Sequence, residues 1–274
     1  MDLMRLLRES LRVMSDEPKV FVPRIATTIF YSALIFYSAK LSFDLSFALA
    51  QEAGRVSSNV FAPFRAYAGS IAVIVVGSVA CLASDVLAYA MYPTLVNDFR
   101  HHREISLMKA LGNAMSQWRT LAAFSATILA FMAAFIAFFF WVYARIILTD
   151  SIILLIPALL LMAAVFIAFS ILIFFVIPVA VIERKGIIHA YRRSISLGFE
   201  HRMPLFKTTI LFMGISFATI GVAAVSGFRG VGALLAFSVF LLTRLIQVVS
   251  YTYLNVVNPY VYLSLYDGKK QEAQ

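Results

Sequence analysis

The sequence predicts an all-α, polytopic membrane protein with six transmembrane helices and three cytoplasmic, interfacial amphipathic helices. Three observations carry that expectation. The 274-residue chain is 62% hydrophobic and only 14% charged, whereas a soluble domain holds about 25% charged residues. The apolar surplus exceeds what one core can bury and goes into lipid. Apolar runs of about 20 residues, enough for a hydrocarbon layer of about 30 Å, recur along the chain. A short basic segment with helical periodicity precedes each successive pair of runs.

In the first short segment Met4, Leu7, Leu11 and Met14 form an apolar face, with Arg5, Arg8, Glu9 and Arg12 away from it. It is too short and too charged to span, so it is expected to lie in the interface. Pro18 ends it. The first span is expected over 20–40, closing at Lys40, whose ammonium snorkels outward, and 51–63 reads as a loop. The second span covers 66–92 and ends at Pro93.

The second short segment, 104–119, repeats the pattern with Met108, Leu111, Met115 and Trp118. A third span over 120–144, a turn at 145–151 and a fourth span over 152–180 follow. Pro157 and Pro178 fall inside the fourth span, where neighbouring helices accommodate them. The third short segment, 183–203, has the face Ile188, Tyr191, Ile195 and Phe199 and is closed by Pro204. The fifth span (205–226), a glycine-rich turn (227–232) and the sixth span (233–256) complete the set. Tyrosines at 260, 262 and 266 suit an interfacial belt, and 267–274 reads as a polar tail. The chain is thus one membrane domain, 1–274, with three expected repeats over 1–92, 104–180 and 183–258.

Charge decides the threading. With six spans, both termini and the two middle short segments share one side of the membrane. Of the 23 Lys and Arg residues, only Arg55, Arg65, Arg145 and Arg229 fall in connections on the other side, while Lys40 and Arg244 lie within runs. This positive-inside bias predicts a multi-pass protein of the cell membrane with cytoplasmic N- and C-termini. It also accounts for the net charge of +9 without nucleic acid as a partner. The N-terminal segment lacks the continuous apolar stretch of a cleaved signal peptide.

Little in the chain resembles catalytic machinery, and no enzyme activity, cofactor or metal is expected. Cys81 is the one cysteine, so neither an intrachain disulfide nor a cysteine-based metal site can form. The cluster His101-His102-Arg103-Glu104 lacks the spacing that sets two imidazoles on one helical face. Phosphate-binding, nucleophile-elbow and dinucleotide-binding glycine patterns are absent from the sequence.

Polar residues inside spans are the better candidates, because hydrocarbon penalises them. Asp85, Arg244 and Gln247 are the candidate intramembrane polar site. At ~1.5 Å per residue, Asp85 lies ~12 Å from Pro93 and Arg244 ~21 Å from Asn258, an offset of ~9 Å that a direct pair would have to bridge. Lys185, Arg192 and Arg193 are the candidate lipid-headgroup contacts, since cations near an anionic leaflet are attracted to it. Gly214, Ala218 and Gly221 read as a helix-contact surface.

The stretch from Phe175 through Pro178 and Glu183 to Ala190 and Ser194 carries a resemblance. An apolar span ends at a proline, a charged spot and Gly186 follow, and a basic helix with Ala-x-x-x-Ser comes next. This resembles the prokaryotic six-span proteins related to the glycerophosphodiester phosphodiesterase membrane domain, loosely over the chain and sharply over 175–200. The resemblance implies a polytopic membrane domain, which some relatives join to a phosphodiesterase. This chain has no room for that catalytic domain, so the activity does not follow. The expected function is a non-enzymatic, lipid-organising or scaffolding one. Its expected partners are anionic membrane lipids, with a protein partner or a second copy of the chain. The alternative is a transporter or channel-like component using the intramembrane polar residues.

Overall fold

The computed structural model describes residues 3–53, 62–149, 155–225 and 233–272, which are helical with no strand among them. The order is α1 (Leu3–Asp16), a 3-10 turn (Pro18–Phe21), α2 (Val22–Ala53), α3 (Ala62–Ala66) and α4 (Ala68–Arg100). Then come α5 (Leu107–Ser116), α6 (Trp118–Thr149), α7 (Leu155–Ile173), α8 (Val176–Glu183), α9 (Ile187–Glu200), α10 (Arg202–Val225) and α11 (Ala233–Glu272). Among the described residues, five stretches are long and apolar enough to cross a membrane: Pro18–Gln51, Ala68–Arg100, Trp118–Arg145, Ile156–Glu183 and Phe237–Tyr266. The chain is therefore a multi-pass membrane protein. The connections expected at 51–63 and 227–232 fall largely on 54–61 and 226–232, outside the described residues. The turn expected at 145–151 does not begin at Arg145, because α6 stays helical to Thr149, and 150–154 lie outside the described residues.

Several helices run past the ends that their prolines and charges predict. The first does not stop at Lys40 but continues to Ala53. α4 passes through Pro93 to Arg100, and α11 passes through Pro259 to Glu272. A proline removes one backbone donor and crowds the carbonyl four residues earlier, which neighbouring helices can absorb.

At Pro178 the helix does break. α7 ends at Ile173 and α8 starts at Val176, and the carbonyl that Pro178 strands is that of Phe174. Asn258 of α11 donates its Nδ2–H to that oxygen at 2.8 Å. Ser194 of α9 serves the rest of the break, accepting from the Phe175 N–H at 3.1 Å and donating to the Leu172 carbonyl at 2.7 Å.

The densest packing lies at one end of the molecule. Tyr92, Leu95 and Val96 of α4, Phe175, Ile177 and Val179 around α8, and Val257, Val261 and Tyr262 of α11 form its centre. The short helices wrap this core: α1 packs on α11, α5 on α4, and α9 on α7 and α8. A short helix followed by long ones recurs three times in the element order. Each short helix leans on the long helices that precede it, and α1 leans on the last.

The short helices turn other residues inward and leave most of their apolar rows on the outside. Ser10 and Val13, Ala110 and Ala114, and Ala190, Ser194 and Gly198 are buried. Met4 and Leu11, Met108, Met115 and Trp118, and Ile188, Ile195 and Phe199 point outward, with Met108 77% and Ile188 79% exposed. Leu7, Leu111 and Tyr191 straddle the boundary, and Met14 alone of the expected faces is buried. Small side chains let the helices approach closely: a Cβ at Gly198 would stand 3.2 Å from the Ile171 carbonyl oxygen. Two of the three residues of the expected contact surface on α10 are also turned away, and the burial of the third, Gly221, lies outside what is described. Gly214 and Ala218 are exposed, and a Cβ at Gly214 would meet nothing within 4 Å.

α6 carries an aromatic-cation anchor at each end. The Arg119 guanidinium lies 5.7 Å from the Trp118 ring, and that of Arg145 lies 5.5 Å from the Trp141 ring. The two tryptophans are ~35 Å apart at ~1.5 Å per residue. That matches an apolar layer of about 30 Å bordered by interfacial tryptophans.

Candidate functional site

α2, α4 and α11 pack against one another and line a half-open cavity of about 370 Å³. It is lined by Arg24, Thr27, Thr28 and Tyr31 of α2, Asp85 of α4, and Arg244, Gln247 and Tyr251 of α11. All three intramembrane residues singled out from the sequence therefore meet at one place. The ~9 Å offset between Asp85 and Arg244 disappears because Pro93 is not the end of α4. The helix continues to Arg100, whose guanidinium lies over the ring of Tyr260 on α11. From that level Asp85 and Arg244 lie at similar depths, ~22 and ~24 Å at ~1.5 Å per residue.

The pairing differs from the simplest expectation. Asp85 Oδ1 is ion-paired with Nη1 of Arg24, not with Arg244. The Arg24 guanidinium also stacks 4.6 Å from the Tyr251 ring centre. Arg244 donates from Nη1 to the Gln247 carboxamide oxygen at 2.6 Å and lies 4.7 Å from the Phe240 ring centre. Asp85 is the single acid lining the cavity, beside two arginines. The Nε atoms of Arg24 and Arg244 are buried without a hydrogen-bond partner among the described residues.

Arg24 was legible only in part. It follows Pro23 and counts with the N-terminal cytoplasmic cations when charge alone is read. Yet Arg24, Thr27, Thr28 and Tyr31 recur at i, i+3, i+4 and i+7, a polar stripe on an otherwise apolar helix. That stripe is the signal that points α2 at the cavity.

A second polar cluster ties the short helices to the core. Glu183, at the end of α8, accepts hydrogen bonds from the Tyr262 hydroxyl and from His189 Nε2, each at 2.6 Å. Arg193 Nε lies 3.7 Å from the same carboxylate. Arg184 is left-handed at φ 52° and donates Nη2–H to Asn113 of α5 at 2.8 Å. His102, between α4 and α5, takes the same conformation at φ 53°. Asp98 of α4, 1% exposed, receives Lys109 Nζ of α5 on both oxygens, at 2.8 and 2.7 Å.

The three candidate headgroup contacts separate. Lys185 and Arg192 are exposed on the rim of α9. Arg193 turns inward to Glu183, so its charge is engaged within the protein. Exposed cations on the other short helices, Arg8 of α1 and Arg119 beside α5, stand next to the outward apolar rows. No protein-family model, no curated protein and no solved structure matches this chain.

Proposed function

We propose that the chain is a six-span protein of the cell membrane, α10 being the fifth span in order, with cytoplasmic termini and a non-enzymatic, lipid-organising role. The supporting observation is the outward face of the short helices. α5 packs by Ala110 and Ala114, α9 by Ala190, Ser194, Leu197 and Gly198, and α1 by Leu6, Ser10, Val13 and Met14. Each presents large apolar side chains outward: Met4 and Leu11, Met108 and Met115, Ile188 and Phe199. Exposed Arg8, Arg119, Lys185 and Arg192 flank those rows. A helix of that kind lies in the headgroup boundary, and each cation near an anionic surface adds about 1 kcal/mol. Three such helices around one core form a collar that holds anionic lipid and offers a platform to a partner. The three repeats and kinship with the six-span group named above belong to the same proposal. Short helix, long helices and an internal proline (Pro93, Pro178 or Pro259) recur in that order.

Spin-labelled lipids test the role. Protein in phosphatidylcholine bilayers should immobilise labelled phosphatidylglycerol in preference to labelled phosphatidylcholine. The preference should drop in Lys185→Glu/Arg192→Glu. Equal immobilisation of the two lipids by the unmodified protein would contradict the proposal. A transporter role is favoured by one observation, the polar cavity between α2, α4 and α11. Its mark would be protein-dependent uptake of a small anion into proteoliposomes that Arg244→Gln abolishes.

A further inference from the structure

We propose that the cavity between α2, α4 and α11 is a binding site for an oxyanionic group, a phosphate or phosphodiester, held by Arg244 and Arg24. Charge carries the inference. The lining holds two guanidinium groups and one carboxylate, and Asp85 is engaged by Arg24. With all three ionised the site carries one cation in excess, on Arg244, which donates to the neutral Gln247. A cation at membrane depth is costly unless paired, and Gln247 and the Phe240 ring face do not neutralise it. An anion between the two arginines would.

Geometry agrees. The two buried Nε–H donors without partners add to the outer guanidinium donors in the planar fork that matches phosphate oxygens. Thr28, Tyr31 and Tyr251 line the same space and supply hydroxyl groups for the remaining oxygens. The volume of about 370 Å³ falls within the range of about 300–1,000 Å³ found for small-ligand sites. Asp85 orients Arg24 and, as a carboxylate, keeps the site from being doubly cationic. The inference is independent of the lipid collar, which uses other residues on another face.

The phosphate could belong to a lipid or to a free ion, and two arms separate these sources. In nanodiscs of phosphatidylcholine alone, inorganic phosphate is titrated against the thermal stability of the protein. In nanodiscs containing phosphatidylglycerol, native mass spectrometry reads the lipid retained on the released protein. A free-anion site gives saturable stabilisation by phosphate in the first arm. A lipid site gives one retained phosphatidylglycerol in the second. In whichever arm responds, Arg244→Gln should weaken binding roughly tenfold or more, the loss expected for charge-assisted hydrogen bonds. Arg244→Lys should keep part of it, and Lys185→Glu/Arg192→Glu should leave it unchanged. The unmodified protein failing to respond in both arms would overturn the inference, whatever the variants do. So would Arg244→Gln, with helicity and monodispersity intact, binding as tightly as the parent.

Discussion

Tyr262 of α11 donates its hydroxyl to Glu183 at the end of α8 across 2.6 Å. Tyr262 is almost fully buried, and the same carboxylate receives His189 and Arg193 from α9. One acid thus joins the last helix, the broken fourth span and a short helix. Tyr262→Phe removes one donor from a nearly buried carboxylate and should cost about 1–3 kcal/mol. Thermal unfolding in detergent measures it. A double-mutant cycle with Glu183→Gln should show the two changes to be strongly non-additive.

Ser194 is expected to matter more than its size suggests, because it serves both an N–H and a carbonyl at the helix break. Ser194→Ala should destabilise by about 1–3 kcal/mol, the penalty for stranding buried backbone groups. Ser196, exposed on the same helix, provides the control. Ser196→Ala should fall within about ±0.5 kcal/mol of the parent, as surface changes usually do.

The Arg24–Asp85 pair makes a different prediction. Removing either partner breaks the ion pair, and because its side chains are 12% and 30% exposed the loss should stay below the ~3–5 kcal/mol of fully buried pairs. Arg24→Leu and Asp85→Leu should each lower the unfolding temperature, while the double change recovers part of the loss. A loss in the double variant equal to the sum of the two single losses would show that the pair is not coupled.

Acid should loosen α1. The Glu9 carboxyl is held below its ordinary value of 4.5 by hydrogen bonds from Arg5 and Tyr260, against a smaller opposing effect of burial. A depressed carboxyl contributes stability that is present above the ordinary value and is lost as pH falls through the lower, folded one. The Glu9 side chain is 35% exposed, so solvent screening keeps the effect small. Hydrogen exchange in α1 should rise as pH drops below about 4.5, and Glu9→Gln should remove that dependence.

How much of this was legible follows from what periodicity reports. Hydropathy and length located the long helices, because lipid demands continuous apolar runs. Their ends were misjudged at Pro93 and at 256, since the helices continue through Pro93 and Pro259, both buried in the packed core. The short helices were located by their apolar rows, but the residues they pack inward were not singled out as such. Ala110, Ala114, Ala190, Ser194 and Gly198 give almost no hydropathy signal, yet they set the packing distance. Asp85, Arg244 and Gln247 were found because charge in a span is conspicuous. Arg24 was missed because it lies beside the cytoplasmic cations.

The placement of the packed core and its three short helices at the cytoplasmic face is the claim on which the rest depends. It is tested most directly with one cysteine at His101, in the exposed turn after α4, in a Cys81→Ala background. The expected result is no reaction with a membrane-impermeant maleimide in intact cells and full reaction in inside-out vesicles. Labelling of that cysteine in intact cells would contradict the placement.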